Sequence, residues 1–224
     1  MLVGERMTKN PVTIHEDANI EDGLHLMREL KVRRLPVVDR AGRLVGIVSD
    51  KDLLHAAPSP ATSLSVHELH YLLSKLTVKR VMSSPVITVT PQTPLEQAAC
   101  VMTDHRIGGV PVLEDGELVG IITETDIFKV LIEMLGARVP GVRATIAVQE
   151  GVGVLARIAK SLADCGANIL SLVTYLGSGP EETFLTMKIS QAESAVIRSA
   201  LESAGVRVVD LRESATSCES VSPS

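Results

Sequence analysis

Two short segments of this 224-residue chain carry a hydroxyl and a carboxylate at the same spacing: Ser49-Asp-Lys-Asp52 and Thr123-Glu-Thr-Asp126. A hydroxyl three residues before an aspartate suits a strand-to-helix junction. There the hydroxyl and orphan backbone N–H groups can meet a phosphate, and the carboxylate can accept hydrogen bonds from both hydroxyls of a ribose. Ser, Thr and Asp are also ordinary helix N-caps, so one copy alone leaves both readings open. Cations stand upstream of each segment: Lys31, Arg33 and Arg34 before the first, His105 and Arg106 before the second. Gly108-Gly109 occupy the places of Arg33-Arg34, so the two copies differ in basic character. The remaining candidates form weaker sets. His55, His67 and His70 have no carboxylate or Cys to complete a metal site and read as solvated histidines. Cys100, Cys165 and Cys218 lack CxxC spacing and indicate neither a disulfide framework nor a zinc site. No HExxH, P-loop, nucleophile elbow or Cys/His pairing is present, and the expectation is a protein that is not an enzyme.

The elements that position these residues follow from an internal repeat. Met7–Ile14 (MTKNPVTI) answers Met82–Val89 (MSSPVITV). Met27 answers Met102, and Leu35-Pro36-Val37 answers Val110-Pro111-Val112, all 75 positions apart. One residue then drops out of a loop, Asp39–Gly42 becoming Glu114–Gly116, and Leu44–Ser49 answers Leu118–Thr123 at a spacing of 74. Each copy reads as an extended piece at Thr13 or Thr88, an amphipathic helix, two apolar strands and a second helix. The first helix carries Ile20, Leu24, Met27 and Leu30, or Leu95, Ala98, Ala99 and Met102, with Thr93 expected as N-cap and Pro94 at the first helical position. A unit of about 50 residues buries little alone, so the copies are expected to pack on each other. Between them Val66, Leu69, Leu73 and Leu76 have helical spacing and read as a linker helix.

Composition narrows the function. The chain is 45% hydrophobic but only 2% aromatic, with no Trp. That supplies an aliphatic core and almost no rings for a base-stacking nucleic-acid platform. A formal charge of −5 and a pI near 5.7 give no global basic footprint. Local clusters at Lys31–Arg34 and Lys75–Arg80 are the only support for DNA binding, and no recognition-helix motif accompanies them. No apolar run reaches the length of a membrane span, and Met-Leu-Val-Gly-Glu-Arg has no signal-peptide apolar region. The expected compartment is the cytoplasm, with no membrane partner.

Gly46-Ile-Val-Ser49-Asp-Lys-Asp52-Leu and Gly120-Ile-Ile-Thr123-Glu-Thr-Asp126-Ile resemble the closing motif of CBS domains, G-h-h-[ST]-x-x-D-h. The resemblance covers residues 3–135. It implies two tandem β-α-β-β-α units that pair into a flat module with adenosyl ligands (AMP, ADP, ATP or S-adenosylmethionine) in the clefts. Carried over by motif, the ligand residues are Thr13, Ile14, Arg33, Arg34, Val37, Ser49 and Asp52, with Thr88, Val89, His105, Arg106, Val112, Thr123 and Asp126 in the second copy. Ile14, Val37, Val89 and Val112 would sandwich the adenine. Burying about 100 Å² of base at about 25 cal/mol/Å² gives about 2–3 kcal/mol, which points to micromolar or weaker sensing.

The last third reads as a different domain. Strands at Arg143–Val148, Ile169–Tyr175, Thr183–Ile189 and Val206–Leu211 alternate with helices at Leu155–Cys165 and Ala192–Ala204, with a turn at Gly177–Pro180 between the middle strands. This βαββαβ order is ferredoxin-like, making the whole chain α/β (α+β). Gly151-Val-Gly153-Val-Leu-Ala156 matches a dinucleotide fingerprint, but no acidic residue ends the next strand and two hairpin-compatible strands follow. The segment instead resembles an ACT domain. That implies an amino-acid effector at Gly153, Val154 and Leu155 with Asn168 and Ile169, between copies of the domain. Val152 and Glu150 stand where the family usually has Pro and Asp.

The expected organisation is 1–58 and 78–137 as CBS units, 59–77 as a linker, 138–213 as the ACT-like domain and 214–224 as a disordered tail. The architecture resembles the acetoin-utilisation AcuB-type proteins of bacteria. The function expected is a non-catalytic sensor that reports an adenosyl ligand to a regulated protein, as a homodimer, in acetoin or carbon metabolism. The alternative is a constitutive oligomerisation scaffold without ligand.

Overall fold

The computed structural model describes residues 1–56, 76–149, 151–177 and 183–214. These form two compact units, Met1–Ile127 and Phe128–Ser224. Most of the expected linker helix with His67 and His70, and also Glu150, Cys218, the Ser178–Pro180 part of the turn and the tail beyond Ser214, lie outside the described residues.

The first unit opens with a one-turn helix α1 (Val3–Arg6) and strand β1 (Thr8–Lys9). The first copy follows as β2 (Ile14–His15), α2 (Ile20–Glu29), β3 (Arg34–Val38), β4 (Leu44–Ser49) and α3 (Asp50–Ala56). Asn19 caps α2, its side chain accepting from the Glu21 N–H at 2.9 Å. Ile20, Gly23 and Met27 are buried on its inner face, while Leu30, at the C-cap, is exposed. The second copy has a 3₁₀ turn (Val78–Arg80), then α4 (Leu95–His105), β5 (Gly109–Glu114), β6 (Glu117–Thr123) and α5 (Glu124–Met134). The extended piece expected at Thr88 amounts to a single parallel bridge between Val89 and Val112. Helix α4 starts one residue later than Thr93-Pro94 suggests. Pro94 flanks it, and the Thr93 hydroxyl oxygen accepts from the Thr90 N–H at 3.1 Å instead.

Equivalent positions do equivalent work. Ile20 and Leu95, Met27 and Met102, Leu35 and Val110, Val37 and Val112, and Val48 and Ile122 are all buried. The one-residue deletion is a change of turn. The first hairpin closes with the Asp39 N–H on the Arg43 carbonyl, leaving a three-residue loop. In the second, Glu114 pairs with Glu117, leaving Asp115 and Gly116 at φ 52° and 87°. Two consecutive positive φ values make the type I′ turn that two-residue hairpins favour.

The leading segments are exchanged between copies. The Val3 N–H donates to the Thr93 carbonyl, and the Val78 N–H to the Ala18 carbonyl, both at 2.9 Å. β1 joins the sheet of the second copy, Thr8 against Ile121, in the order β1-β6-β5, while Ser83 bridges Ile47 beside β2-β3-β4. Gly46 and Gly120 permit the crossing. A Cβ on Gly46 would lie 2.3 Å from Met82 Sδ, and one on Gly120 would lie 2.3 Å from Met7 Sδ. Each copy therefore completes the other.

The second unit contains β7 (Gly141–Val148), α6 (Val154–Asp164), β8 (Asn168–Leu176), β9 (Thr183–Ser190), α7 (Ser194–Ser203) and β10 (Arg207–Ser214). They build one antiparallel sheet in the order β10-β7-β9-β8. The period-2 alternation of a strand puts Val142, Ala144, Ile146, Leu185, Met187 and Ile189 in one core with Ile158, Leu162, Ile197 and Leu201 of the helices. On the opposite face the Thr145 and Thr186 hydroxyls meet at 2.9 Å. Lys188 is buried there and donates to Ser214 Oγ. Burial pushes its ammonium pKa below the usual lysine range, with the Arg143 charge adding to the shift. The division between the two units falls within α5, between Ile127 and Phe128. Among the described residues no helix is long and apolar enough to cross a membrane.

Candidate functional site

The two hydroxyl–aspartate pairs sit where β4 meets α3 and β6 meets α5. Asp52 Oδ2 accepts from the Ser49 N–H at 2.8 Å and from the Ser49 hydroxyl at 2.7 Å. In return the Asp52 N–H donates to Ser49 Oγ at 3.3 Å. Asp126 Oδ2 accepts likewise from the Thr123 N–H at 3.1 Å and hydroxyl at 2.7 Å. The first pair has the reciprocal logic of a capping box, and the second repeats its carboxylate half. The Ser49 and Thr123 hydroxyl protons are thereby committed to a carboxylate, so these groups cap rather than aim at an incoming phosphate. Among the described residues Asp52 Oδ1 has no hydrogen-bond partner.

The four residues expected to sandwich an adenine are all buried. Val37 and Val112 are 0% exposed, Ile14 6% and Val89 9%. Ile14 pairs with Val37 in parallel register, and Val89 exchanges backbone hydrogen bonds with Pro111 and Leu113. Val37 and Val112, at 0% exposure, present no surface to a base, whereas Ile14 and Val89 keep a small exposed edge. Thr13 is half-buried and Thr88 exposed, and both precede the residues that enter the sheets.

Arg33 and Arg34 do cross between copies. Arg33 Nη2 donates to Thr125 Oγ1 at 3.4 Å, and Arg34 Nη2 lies 3.9 Å from Glu124 Oε2. Arg34 pairs in register with Ser49, as Gly109 does with Thr123, so both arginines start beside one hydroxyl–aspartate pair and end on the other. A Cβ on Gly108 would stand 2.0 Å from Arg34 Nη2 and 2.6 Å from Glu124 Oε2. The glycines that depart from the basic pattern are the space into which Arg34 reaches. His105 and Arg106 are exposed, and no hydrogen bond or ion pair links them to Ser49 or Asp52 among the described residues. Lys31 and Arg106, equivalent in the repeat, both adopt left-handed backbone, at φ 54° and 55°. Sequence reasoning missed Glu124, Thr125 and Gly108. The signal available was the replacement of Arg33-Arg34 by two glycines, a gap that an equally large group elsewhere had to fill.

In the second unit the proposed effector residues separate. Gly153, at φ 81°, and Val154 follow the Val148 end of β7, which pairs with Thr183 and through it with Leu176. Asn168 and Ile169 pair with Ser190 and Ile189 at the opposite end, beside Val142. Six strand residues at about 3.3 Å each put the two groups about 20 Å apart. They cannot meet one small ligand within a single chain. Leu155 is exposed near Gly153. Cys100 is exposed and Cys165 half-buried, both free thiols. Among the described residues no three His, Cys, Asp or Glu side chains converge as a metal site.

Comparison with known proteins bears on the first unit. Residues 3–59 and 78–133, half of the chain, match the CBS domain family. A CBS domain-containing protein of Dictyostelium discoideum is 33% identical over 136 residues, 60% of this chain and 94% of that protein. The crystal structure of a protein assigned to acetoin utilization (AcuB) from Vibrio cholerae is similar at a TM-score of 0.51 with 34% identity, over 61% of this chain and 93% of that one. CBSX2, crystallised in complex with AMP, is 34% identical over 58% of this chain and 96% of that one, at a TM-score of 0.48.

Proposed function

This chain belongs to the CBS domain family, and on that premise we propose that its first unit is a non-catalytic sensor of an adenine nucleotide or other adenosyl ligand. The observation that carries the reading is the pair of equivalent aspartates, each held through Oδ2 at a helix start, with Arg33 and Arg34 crossing toward the second. Asp52 and Asp126 take the ribose hydroxyls, and the arginines supply the phosphate charge. Burial of Ile14, Val37, Val89 and Val112 leaves the base to be held by backbone groups, consistent with weak sensing. The exchanged leading segments make the two copies one body, so a ligand between them biases the whole unit to the extent that it binds one arrangement better.

The second unit is read as a ferredoxin-like, ACT-like domain, on the support of its element order and its β10-β7-β9-β8 sheet. An amino acid there requires Gly153 of one chain beside Asn168 of another, which ties effector binding to a homodimer. The likeness to a protein assigned to acetoin utilization supports a place in acetoin or carbon metabolism, with a cytoplasmic regulated protein as partner. A ligand-free oligomerisation scaffold is the second reading, favoured by the Ser49 and Thr123 hydroxyls being satisfied internally. Equilibrium titration with AMP, ADP, ATP and S-adenosylmethionine separates the two. The sensor reading predicts micromolar to millimolar binding that falls about tenfold to hundredfold in Asp52→Ala or Asp126→Ala. No binding of any of the four at millimolar concentration leaves the scaffold.

A further inference from the structure

We propose that Glu124 is a charge gate on the cleft: it holds Arg34 as an internal counter-anion and so sets the preference between charged and uncharged adenosyl ligands. The inference rests on the adenosyl-binding reading and goes beyond it in naming a selectivity device. The repeat aligns Glu124 with Asp50 and Gly108-Gly109 with Arg33-Arg34, so nothing in the first copy reproduces this arrangement. Arg34 runs over Gly109, whose Cβ position lies 3.1 Å from Arg34 Cδ, and its guanidinium stands over Gly108. Any larger residue at 108 would overlap both Arg34 and Glu124. The contact partner is the first turn of α5, an 11-residue helix whose third residue is Asp126. The same turn is also gripped by Arg33 through Thr125.

The cation that a nucleotide phosphate needs is therefore already neutralised, by a carboxylate two residues from the ribose-binding aspartate. Arg34 is mostly buried, whereas the Glu124 side chain is 52% exposed and 3.9 Å away. A half-exposed pair at that distance is weak, so a phosphate dianion displaces Glu124 toward water and takes its place on the guanidinium. An uncharged ligand such as adenosine has no use for Arg34 and leaves the pair intact. Glu124 thus taxes the nucleotide alone.

Isothermal titration of the 224-residue chain at low salt, with AMP and adenosine as probes, tests this. Glu124→Gln keeps the side-chain size and is expected to tighten AMP about fivefold, the scale of a lost exposed ion pair, while adenosine changes less than about twofold. Arg34→Ala is expected to lower the AMP-to-adenosine affinity ratio, with Arg33 left as the remaining phosphate cation. If both probes bind wild type and Glu124→Gln leaves the AMP-to-adenosine ratio unchanged or lowers it, the gate is wrong and the sensor reading stands. If neither probe binds wild type or variants, the gate falls, and the sensor reading is then decided by the titrations with ADP, ATP and S-adenosylmethionine. Melting curves of ligand-free Glu124→Gln identify any loss of fold, and Glu124→Asp, which keeps the charge, must retain the wild-type ratio.

Discussion

Replacing Asp52 by alanine separates what this carboxylate does for the fold from what it does for a ligand. The substitution removes the acceptor of two hydrogen bonds, from the Ser49 N–H at 2.8 Å and the Ser49 hydroxyl at 2.7 Å. Charge-assisted bonds are worth about 1.5–3 kcal/mol each when desolvated. Ser49 and Asp52 are only half-buried, so water takes over part of the role, and the loss of a cap, about 0.5–2 kcal/mol, is the better guide. The expected cost is about 1–1.5 kcal/mol, a fall in Tm of about 3–6 °C for a unit of this size. Ser49→Ala removes the hydroxyl but keeps the carboxylate, and should cost a similar amount of stability. The two variants part company on ligand. Asp52→Ala weakens AMP about tenfold to hundredfold, whereas Ser49→Ala keeps it within about threefold, because the Ser49 hydroxyl points at Asp52. Thermal melts with and without AMP, joined to titration calorimetry, measure both quantities. Unchanged stability of ligand-free Asp52→Ala would refute the cap. Equal loss of AMP binding in both variants would show that the hydroxyl, not the carboxylate alone, holds the ligand.

Three further outcomes follow from the packing. Gly46→Ala and Gly120→Ala should each cost about 1–3 kcal/mol by overpacking, and Met82→Ala or Met7→Ala should offset part of that cost. Urea unfolding of the single and double variants checks this, and additive costs would deny the contact. Lys31→Gly and Arg106→Gly should each raise stability by about 1 kcal/mol, since both side chains sit on left-handed backbone. A Tm that stays level or falls would mean the basic side chains make compensating contacts. Lys188→Met should stabilise the second unit at neutral pH by removing a buried charge. The native lysine has its folded pKa depressed below 10.5, so the folded state binds fewer protons than the unfolded one between those two values. Wild type therefore gains stability relative to Lys188→Met as pH rises toward 10.5, and parallel stability curves of the two proteins over that range would contradict the burial.

Much of this was legible from residue spacing. The helices at Ile20 and Leu95 and the strand pairs at Leu35–Ser49 and Val110–Thr123 follow from apolar periodicity, and all four strands and both helices of the second unit lie within three residues of where the pattern puts them. What spacing could not show was direction. Val37 and Val112 lie in continuous apolar runs, Leu35–Val38 and Val110–Leu113, which fit either a core or a cleft wall, and packing leaves both at 0% exposure. Gly153 and Asn168 were joined through a resemblance to a dimeric site. The strand register, in which Val148 meets Thr183 while Asn168 meets Ser190, separates them within one chain. Leu30 fails for a local reason, because a C-cap residue has turned off the helical stripe that its spacing continues.

The exchange of leading segments was invisible for a deeper reason, and it explains the asymmetry of the site. In a duplicated unit, Val3 could donate to Ala18 of its own copy or to Thr93 of the other with the same backbone geometry. The residues on the two routes are equivalent, so no motif distinguishes them. Once the chain crosses, each sheet contains a segment of the other copy, and the surfaces around Arg34 and Gly108 must fit one another rather than themselves. Two arginine pairs meeting across such an axis would place four cations in one small volume. Here one copy keeps Arg33-Arg34 while the other gives way to Gly108-Gly109, and the two guanidiniums that reach across meet Thr125 and Glu124. Loss of symmetry in charge thus goes with the space at Gly108 into which Arg34 reaches. It concentrates the cationic character of the cleft on the side of Thr123 and Asp126.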